Sequence, residues 1–198
     1  MGSQTTPKRL VIGISGASGA EIGIQLLQAM QRLPEWETHL VISEGAKRTI
    51  QLETPYSVAE VKKMASRCHP LEDVGASIAS GTFKTEGMVV VPCSMKTVAG
   101  IAHGYAQNLL LRAADVVIKE HRKLVLVARE SPLSAIHLKN MLSLAEAGIV
   151  ILPPVLTYYN RPKSIQEMSA HIVGKICDVF GIEFPDFKRW DPDSASPS

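Results

Sequence analysis

The chain has 198 residues, of which 45% are hydrophobic and 20% are charged, and its formal net charge is +2. This length and apolar content suffice for one domain with a buried core, and so small a net charge gives no argument for nucleic-acid binding. No apolar run reaches the ~20 residues of a membrane span, the first nine residues lack the apolar core of an export signal, and three widely spaced cysteines fit a reducing cytoplasm better than a disulfide framework.

Continuous apolar runs predict five buried strands, at residues 10–15, 38–42, 88–91, 124–128 and 149–152. Helical spacing and breakers predict helices at residues 20–33, 46–52, 58–66, 96–103, 108–121, 132–147 and 164–180. The polar segment 67–84 predicts irregular structure. Alternating strands and helices predict an α/β fold, a Rossmann-like doubly wound parallel sheet. We expect a single domain over residues 1–198, with an ordered core at about 9–190 and a flexible tail at 191–198.

A glycine-rich turn at residues 13–19 (GISGASG) follows the first predicted strand and opens the first helix. Its Gly16, Ala17 and Ser18 can present backbone N–H groups to an anion, and the helix N-terminus adds partial positive charge. The spacing is not G-x-G-x-x-G, and the second strand ends at Ser43 instead of an acid that would bind a ribose hydroxyl. The turn therefore favours a phosphate or mononucleotide over a dinucleotide, and the alternative is an ordinary strand-to-helix turn.

Two further strands end in small, polar or charged residues. The segment after the third strand (PCSMKT) carries Ser94 and Thr97; Ser94 is equally suited to cap a helix, and Cys93 is expected to be a small buried residue instead of a nucleophile. The fourth strand ends at Arg129 and Glu130, and Glu130 is the leading general acid/base. Because such strand ends share one edge of a parallel sheet, we expect an anionic, phosphorylated ligand and proton transfer there.

Cations on the helix predicted over residues 108–121 extend this site. Arg112 and Lys119 are two turns apart, so they share a face. We expect this face to be free of acids and to bind two phosphates, or one phosphate and a carbonyl, unless it is merely a solvated cationic face. Ser80 lies in a polar tripeptide that usually forms a solvated turn. Tyr159, after the fifth strand, offers a hydroxyl donor or packs as a loop anchor. The histidines show no metal-ligand spacing, so we expect no metal.

Longer strings carry a resemblance to a known family. GISGASG, ETHLVIS, ASGTF, GMVVVPCSMKT and RAADVVIKEHRKLVLVARE occur in this order, followed by PLSAIHLKNML, the Tyr159 loop and KRW. The chain thereby resembles the flavin prenyltransferases of the UbiX/Pad1 family, long described as small subunits of phenolic-acid or polyprenyl-hydroxybenzoate decarboxylases. The resemblance covers residues 9–190, nearly the whole chain.

The resemblance implies a function. Family members bind reduced FMN in a Rossmann-like homododecamer and use dimethylallyl phosphate as co-substrate. They transfer the dimethylallyl group to flavin N5 and close a ring at C6, without a metal. The product, prenylated FMN, goes to a UbiD-type decarboxylase. For this chain the resemblance therefore implies a cytoplasmic enzyme with small-molecule substrates and neither a nucleic-acid nor a membrane partner.

The resemblance also implies site residues. The flavin-binding positions are Gly16, Ala17, Ser18, Ser43, Ser94, Thr97 and Arg112. The prenyl-phosphate positions are Ser80, Lys119, Arg129 and Tyr159. Catalytic roles fall on Glu130, Lys119, Tyr159 and Ser18.

Two aromatic or cationic positions near the prenyl group complete this set. Trp190 matches an aromatic residue near the prenyl pocket. Lys175 stands where many relatives carry an arginine that contacts the phosphate, so the charge is kept but a bidentate fork becomes a point charge. We expect retained activity with weaker or altered phosphate binding, and the donor is either the monophosphate or the diphosphate.

Two other functions are compatible with this fold. An FMN-dependent decarboxylase of the cysteine-peptide type would need a catalytic histidine after the second strand and a P-x-M-N-x-x-M-W-like segment, and the sequence has neither. A non-catalytic flavin-carrying partner of a decarboxylase is disfavoured, because Lys119, Arg129, Glu130 and Tyr159 are all present.

Overall fold

The computed structural model describes residues 7–191, so the predicted tail lies outside the described residues except for Asp191. Its centre is a six-stranded sheet in which every neighbouring pair is parallel. The strands are β1 (Lys8–Ile14), β2 (Trp36–Ile42), β3 (Arg67–His69), β4 (Gly87–Cys93), β5 (Lys123–Ala128) and β6 (Val150–Ile151). The prediction of a doubly wound parallel α/β sheet is confirmed.

Residues 7–191 form seven α-helices and one short 3₁₀-helix (Ser77–Ala79), and none of these helices is long and apolar enough to span a membrane. The α-helices are α1 (Ala20–Met30), α2 (Glu44–Glu53), α3 (Val58–Lys63), α4 (Met95–Ala102), α5 (Leu109–Lys119), α6 (Ala135–Glu146) and α7 (Ile165–Phe180). Five begin at a serine whose side chain accepts a hydrogen bond from the first turn: Ser43, Ser57, Ser94, Ser134 and Ser164. Such caps satisfy N–H groups that have no partner inside the helix.

The strand order β3-β2-β1-β4-β5-β6 indicates where on the sheet a ligand is expected to bind. The chain builds outward from β1 through β2 to β3, then returns to β4 on the other side of β1. The order thus reverses between β1 and β4, and open parallel sheets bind ligands at the carboxyl ends of the strands at such a reversal.

Two apolar layers cover the sheet. On one face Leu10, Ile12 and Ile14 of β1 lie in a cluster with residues of α1 and α7. On the other face Val11 and Val90 lie in a cluster with residues of α4 and α5. Both faces of the central strands are therefore buried, which is why they appear in the sequence as unbroken apolar runs.

The strand β3 was not predicted. It is three residues long, and its Arg67, Cys68 and His69 pair only with β2 at the edge of the sheet. A short edge strand needs no apolar run, so residues 67–84 look irregular in the sequence. The helix predicted from residue 132 starts at Ala135, because Ser134 caps it through the His137 N–H.

Candidate active site

The turns after β1 and β4 are joined by one buried hydroxyl at the point where the strand order reverses. Ser15 Oγ donates to the Pro92 carbonyl at 2.9 Å and accepts from the Ser94 N–H at 2.7 Å. Ser15 is 1% exposed. The sequence analysis predicts Ser15 only as the last residue of a strand. A polar residue at the end of an apolar run was the one sequence signal that its hydroxyl has a specific hydrogen-bond partner.

The turns after β1 and β2 approach each other through glycines. A Cβ atom on Gly16 would lie 3.0 Å from the Gly45 Cα atom, and a Cβ atom on Gly45 would lie 3.2 Å from the Gly16 Cα atom. Ser43 donates its N–H to the Ile14 carbonyl and caps α2 through Ala46. The glycine turn therefore brings Ser43 beside the end of β1. A glycine at position 16 is needed for this contact between the two turns, whether or not a ligand also binds there.

The N-terminus of α1 already holds an anionic group. The N–H groups of Gly19 and Ala20 donate to one carboxylate oxygen of Glu53, at 2.8 and 3.2 Å. A carboxylate at a helix N-terminus interacts favourably with the helix dipole. Sequence reasoning missed Glu53, since its partners lie more than 30 residues earlier and nothing local marks it. A phosphate at this same point would face a negative charge.

The N-terminus of α4 carries the predicted hydroxyl pair. Ser94 Oγ lies 3.1 Å from Thr97 Oγ1 and accepts from the Thr97 N–H. Ser94 thus caps the helix and remains half-buried at the carboxyl edge. Its neighbour Cys93 is fully buried, and burial raises the pKa of the Cys93 thiol well above its usual range. The expectation that Cys93 is a buried small residue is confirmed.

Arg129 and Glu130 follow β5 at the same edge. The Arg129 N–H donates to the Cys93 carbonyl at 3.0 Å, which ties the end of β5 to the turn that carries Ser94. Both side chains are exposed, and Glu130 accepts one hydrogen bond from the Ser131 N–H. The carboxyl edge therefore offers hydroxyls, an arginine and two carboxylates.

The cations of α5 are paired with acids, unlike the acid-free cationic face that we expected. Arg112 binds Asp115 at 2.7 Å, and Lys119 contacts Glu120. Both ion pairs are partly exposed, and such pairs add little stability, so each cation can exchange its acid for a ligand phosphate.

Lys119 and Ser80 lie near the amino ends of the strands, whereas Glu130 lies at their carboxyl ends. Lys119 precedes the first residue of β5 by four positions, whereas Glu130 follows its last residue by two. Six extended residues separate the two ends by roughly 20 Å. Ser80 accompanies Lys119, because a Cβ on the adjacent Gly81 would be 2.7 Å from Lys119 Nζ. One copy of the chain thus does not bring Lys119 into the site of Arg129 and Glu130.

Tyr159 and Trp190 form a third group beside α7. Their rings meet edge-to-face with centroids 5.0 Å apart, and Tyr159 also meets the buried His171 of α7 at 5.8 Å. Burial, and then nearby Lys175, lower the pKa of His171 below its usual value. Lys175 itself is exposed and lies 6.0 Å from the Phe187 ring.

A half-open cavity of about 920 Å³ adjoins this third group and reaches the N-terminus of α1. Its lining includes Glu53, Asn160 and His171. It therefore connects the Glu53-bound end of α1 with the α7 face. Among residues 7–191, no group of histidine, cysteine, aspartate or glutamate side chains is placed to hold a metal ion.

Comparisons with known proteins identify the family of the chain. A protein-family model described as Flavoprotein matches residues 2–181. A probable UbiX-like flavin prenyltransferase from Sedimentibacter hydroxybenzoicus is 55% identical over 183 residues, which is 92% of this chain and 97% of the relative.

Two solved structures share the fold at high identity. One is a dodecameric FMN-dependent UbiX-like decarboxylase from Escherichia coli O157:H7, with a TM-score of 0.91 and 52% identity over 92% of this chain and 99% of that chain. The other is AnUbiX (PadA1) in complex with FMN and dimethylallyl pyrophosphate, with a TM-score of 0.92 and 47% identity over 93% of this chain and 98% of that chain. The resemblance seen in the sequence is thereby confirmed, and the chain belongs to the Flavoprotein family and, within it, to the UbiX-type flavin prenyltransferases.

Proposed function

We propose that this chain is a flavin prenyltransferase that moves a dimethylallyl group from dimethylallyl phosphate to reduced FMN. The observation that carries the proposal is the match along nearly the whole chain, in sequence and fold, to UbiX-type proteins, one of them solved with FMN and dimethylallyl pyrophosphate. The donor carbon–oxygen bond breaks, and phosphate leaves with the electron pair. The carbon bonds to flavin N5, which loses a proton. Ring closure then adds one proton to the prenyl double bond and removes one from C6.

The carboxyl edge fits FMN, the prenyl acceptor. Ser94 and Thr97 at the start of α4, with Ser43 and Arg112, supply hydroxyl, N–H and cationic donors suited to its phosphate. Because Glu53 already occupies the first N–H groups of α1, we place the phosphate away from that helix. The turn that contains Gly16, Ala17 and Ser18 is then left to contact the ring system, with the Ser18 hydroxyl available for proton transfer.

The α7 face fits the prenyl donor. Tyr159 and Trp190 offer ring surfaces that shield an allylic cation from water, and the Tyr159 hydroxyl and Lys175 bind its phosphate. Cations that face the departing oxygen atoms stabilise the charge that develops on them; we assign this role to Lys119 and Arg129, with Ser80 as a further donor. Glu130 transfers a proton during ring closure or to the phosphate.

A second copy of the chain completes the site in this proposal. Ser80 and Lys119 lie roughly 20 Å from Glu130 within one copy, so both groups reach one substrate only if different copies supply them. The related protein from Escherichia coli O157:H7 is a dodecamer. We therefore propose a homo-oligomer, a dodecamer, with active sites at subunit interfaces.

The product and its destination follow from the same resemblance. We propose that prenylated FMN passes to a UbiD-type decarboxylase in the cytoplasm. Three free cysteines, two of them buried, suit a reducing compartment. The proposal involves neither a nucleic acid nor a membrane.

Anaerobic incubation with reduced FMN and either dimethylallyl monophosphate or the diphosphate, followed by mass spectrometry of the flavin, tests this function. We expect a mass gain of one five-carbon prenyl unit with at least one donor. A flavin carrier would give unmodified FMN with both donors. Release of carbon dioxide from a cysteine-ending peptide, without any flavin product, would favour a decarboxylase.

A further inference from the structure

The segment at residues 184–190, here called the C-terminal strap, folds back along α7 after Gly181 ends that helix. Its Phe187 is half-buried against the helix, and its last residue, Trp190, reaches Tyr159. The strap therefore links the surface of α7 to the aromatic pair that we assign to the prenyl donor.

Phe187 sits in a notch that exists only because residue 174 is glycine. A Cβ atom on Gly174 would lie 2.2 Å from Cδ2, 2.3 Å from Cγ and 2.7 Å from Cβ of Phe187. Real Cβ atoms do not approach other carbons so closely, since packed interiors leave no such overlap. The ring and the stem of Phe187 both rest on the helix backbone, so a methyl group there would lift the whole side chain.

Charged groups hold the same ring from its outer side. The Arg189 guanidinium lies 5.0 Å from the Phe187 centroid and binds Asp178 of α7 through two hydrogen bonds, at 2.7 and 2.9 Å. Lys175 lies 6.0 Å from the same centroid. Such cation–π contacts and a bidentate ion pair favour one orientation of the strap.

The notch connects to the donor site through ring contacts. Phe187 meets His171 with centroids 5.1 Å apart, His171 meets Tyr159 at 5.8 Å, and Tyr159 meets Trp190 at 5.0 Å. Each ring thus limits where the next one lies. Trp190 is otherwise 63% exposed, so these neighbours are what fix its position within the described chain.

We propose that Phe187 and Gly174 are positioning residues for the prenyl donor, acting through the C-terminal strap. The Phe187 ring in the Gly174 notch holds Trp190 against Tyr159 and so forms the wall of the prenyl pocket before the donor arrives. This inference rests on the proposed roles of Tyr159 and Trp190. Neither Phe187 nor Gly174 touches a reacting atom.

The test compares Gly174→Ala and Phe187→Ala with wild type and with Gly75→Ala, a control at which a new Cβ meets only Asp73 Oδ1, at 3.6 Å. We expect both strap variants to raise KM for the prenyl donor by up to about tenfold, the scale of one lost aromatic pair, with kcat and FMN affinity unchanged. Both should lose the near-ultraviolet circular dichroism that Trp190→Phe also removes. Phe187→Leu should restore most of the donor affinity.

The two substitutions remove the same contact. The KM of the double variant for the prenyl donor should therefore be no higher than that of the more impaired single variant. Unchanged donor KM in both single variants overturns the proposal, as does an equal loss of donor and FMN affinity with a lowered melting midpoint. If wild type forms no prenylated flavin, the proposed function fails separately. The circular dichroism then decides the strap alone: a retained Trp190 signal in Gly174→Ala and Phe187→Ala overturns it.

Discussion

Glu53 and Glu130, the two carboxylates at the carboxyl edge, are both exposed but differ in their hydrogen bonds. Glu53 receives two backbone N–H groups from the start of α1, which fixes its position. Glu130 is exposed and receives one, from its own neighbour Ser131. The carboxylate of Glu53 stabilises the start of α1, whereas Glu130 has no such helix contact and is the carboxylate that we propose exchanges a proton with the substrate.

Glu130→Gln should separate binding from chemistry. The amide keeps the shape but removes the basicity, so FMN should bind as in wild type while prenylated FMN forms at least ~100-fold more slowly. Single-turnover formation of the product, followed by mass spectrometry, measures this. Glu35→Gln, an exposed change in the turn before β2, is the control and should match wild type. Product formation by Glu130→Gln at wild-type speed would remove Glu130 from the mechanism.

The buried His39 and the half-buried His69 form a pair that responds to pH. His39 Nδ1 lies 2.9 Å from His69 Nε2, with Glu37, Arg9, Arg67 and Phe83 around the rings. Burial lowers the pKa of His39 to about 4, against the opposing effect of Glu37, and burial also lowers the pKa of His69. The unfolded chain therefore binds more protons than the folded one between pH 6.5 and 4.

The free energy of unfolding should thus be highest above pH 6.5, where the buried His39 is neutral in both states, and it should fall as the pH drops toward 4. From the His39 shift alone, the loss by pH 5 is about 2 kcal/mol. In His39→Gln, which cannot titrate, the free energy of unfolding should change less between pH 7.5 and 5. Denaturant unfolding at both values measures this, and His121→Gln, at an exposed turn, is the control. Identical pH slopes in wild type and His39→Gln would contradict the assignment.

At the scale of elements, α1 lies unusually close to the sheet. A Cβ atom on Gly23 would lie 2.5 Å from the Val91 carbonyl oxygen, a backbone atom that cannot rotate away. The glycine therefore sets the distance between α1 and β4, and with it the distance between the turns that follow β1 and β4.

Gly23→Ala should destabilise the fold despite the better helix propensity of alanine. Overpacking of this kind costs roughly 1–3 kcal/mol, and it should also weaken FMN binding because the two turns move apart. Thermal unfolding and FMN titration measure both effects. Gly75→Ala, where nothing lies closer than 3.6 Å, should change neither. A stabilised Gly23→Ala would show that α1 can shift freely.

Elements with strong local signals were predictable, and those set by distant contacts were not. Apolar runs marked β1, β2, β4 and β5, and the possible cap at Ser94 marked the start of α4. The edge strand β3 has no apolar run, because it is defined by pairing with β2. Glu53 and the Gly174 notch likewise depend on residues far along the chain, and periodicity carries no information about such contacts. The separation of Lys119 from Glu130 was implicit in the predicted order of helix and strand, since Lys119 precedes β5 and Glu130 follows it.

At the scale of the whole molecule, α6 presents apolar side chains to solvent. Leu138 is 52% exposed and Leu142, one helical turn later on the same face, is 59% exposed, on a helix whose Leu144 is buried. Adjacent large apolar side chains of this kind mark a protein–protein contact. We therefore place one oligomer contact on α6.

Light scattering should show a large homo-oligomer and not a 21.5 kDa monomer. Leu142→Glu puts a charge into the contact and should shift the particles to smaller sizes at micromolar concentration. Leu52→Glu is the matched control, since Leu52 is 74% exposed on α2 and should leave the size unchanged. A monomeric wild type would contradict an active site that is shared between subunits.

The roughly 20 Å between Lys119 and Glu130 has a consequence for inheritance. A cell with one gene copy encoding Lys119→Gln and another encoding Glu130→Gln would make two inactive proteins that assemble together. If each site takes these residues from different copies, random mixing in equal amounts leaves about one quarter of the sites with both native residues. Two defective alleles would thus complement each other, whereas either allele paired with itself would not.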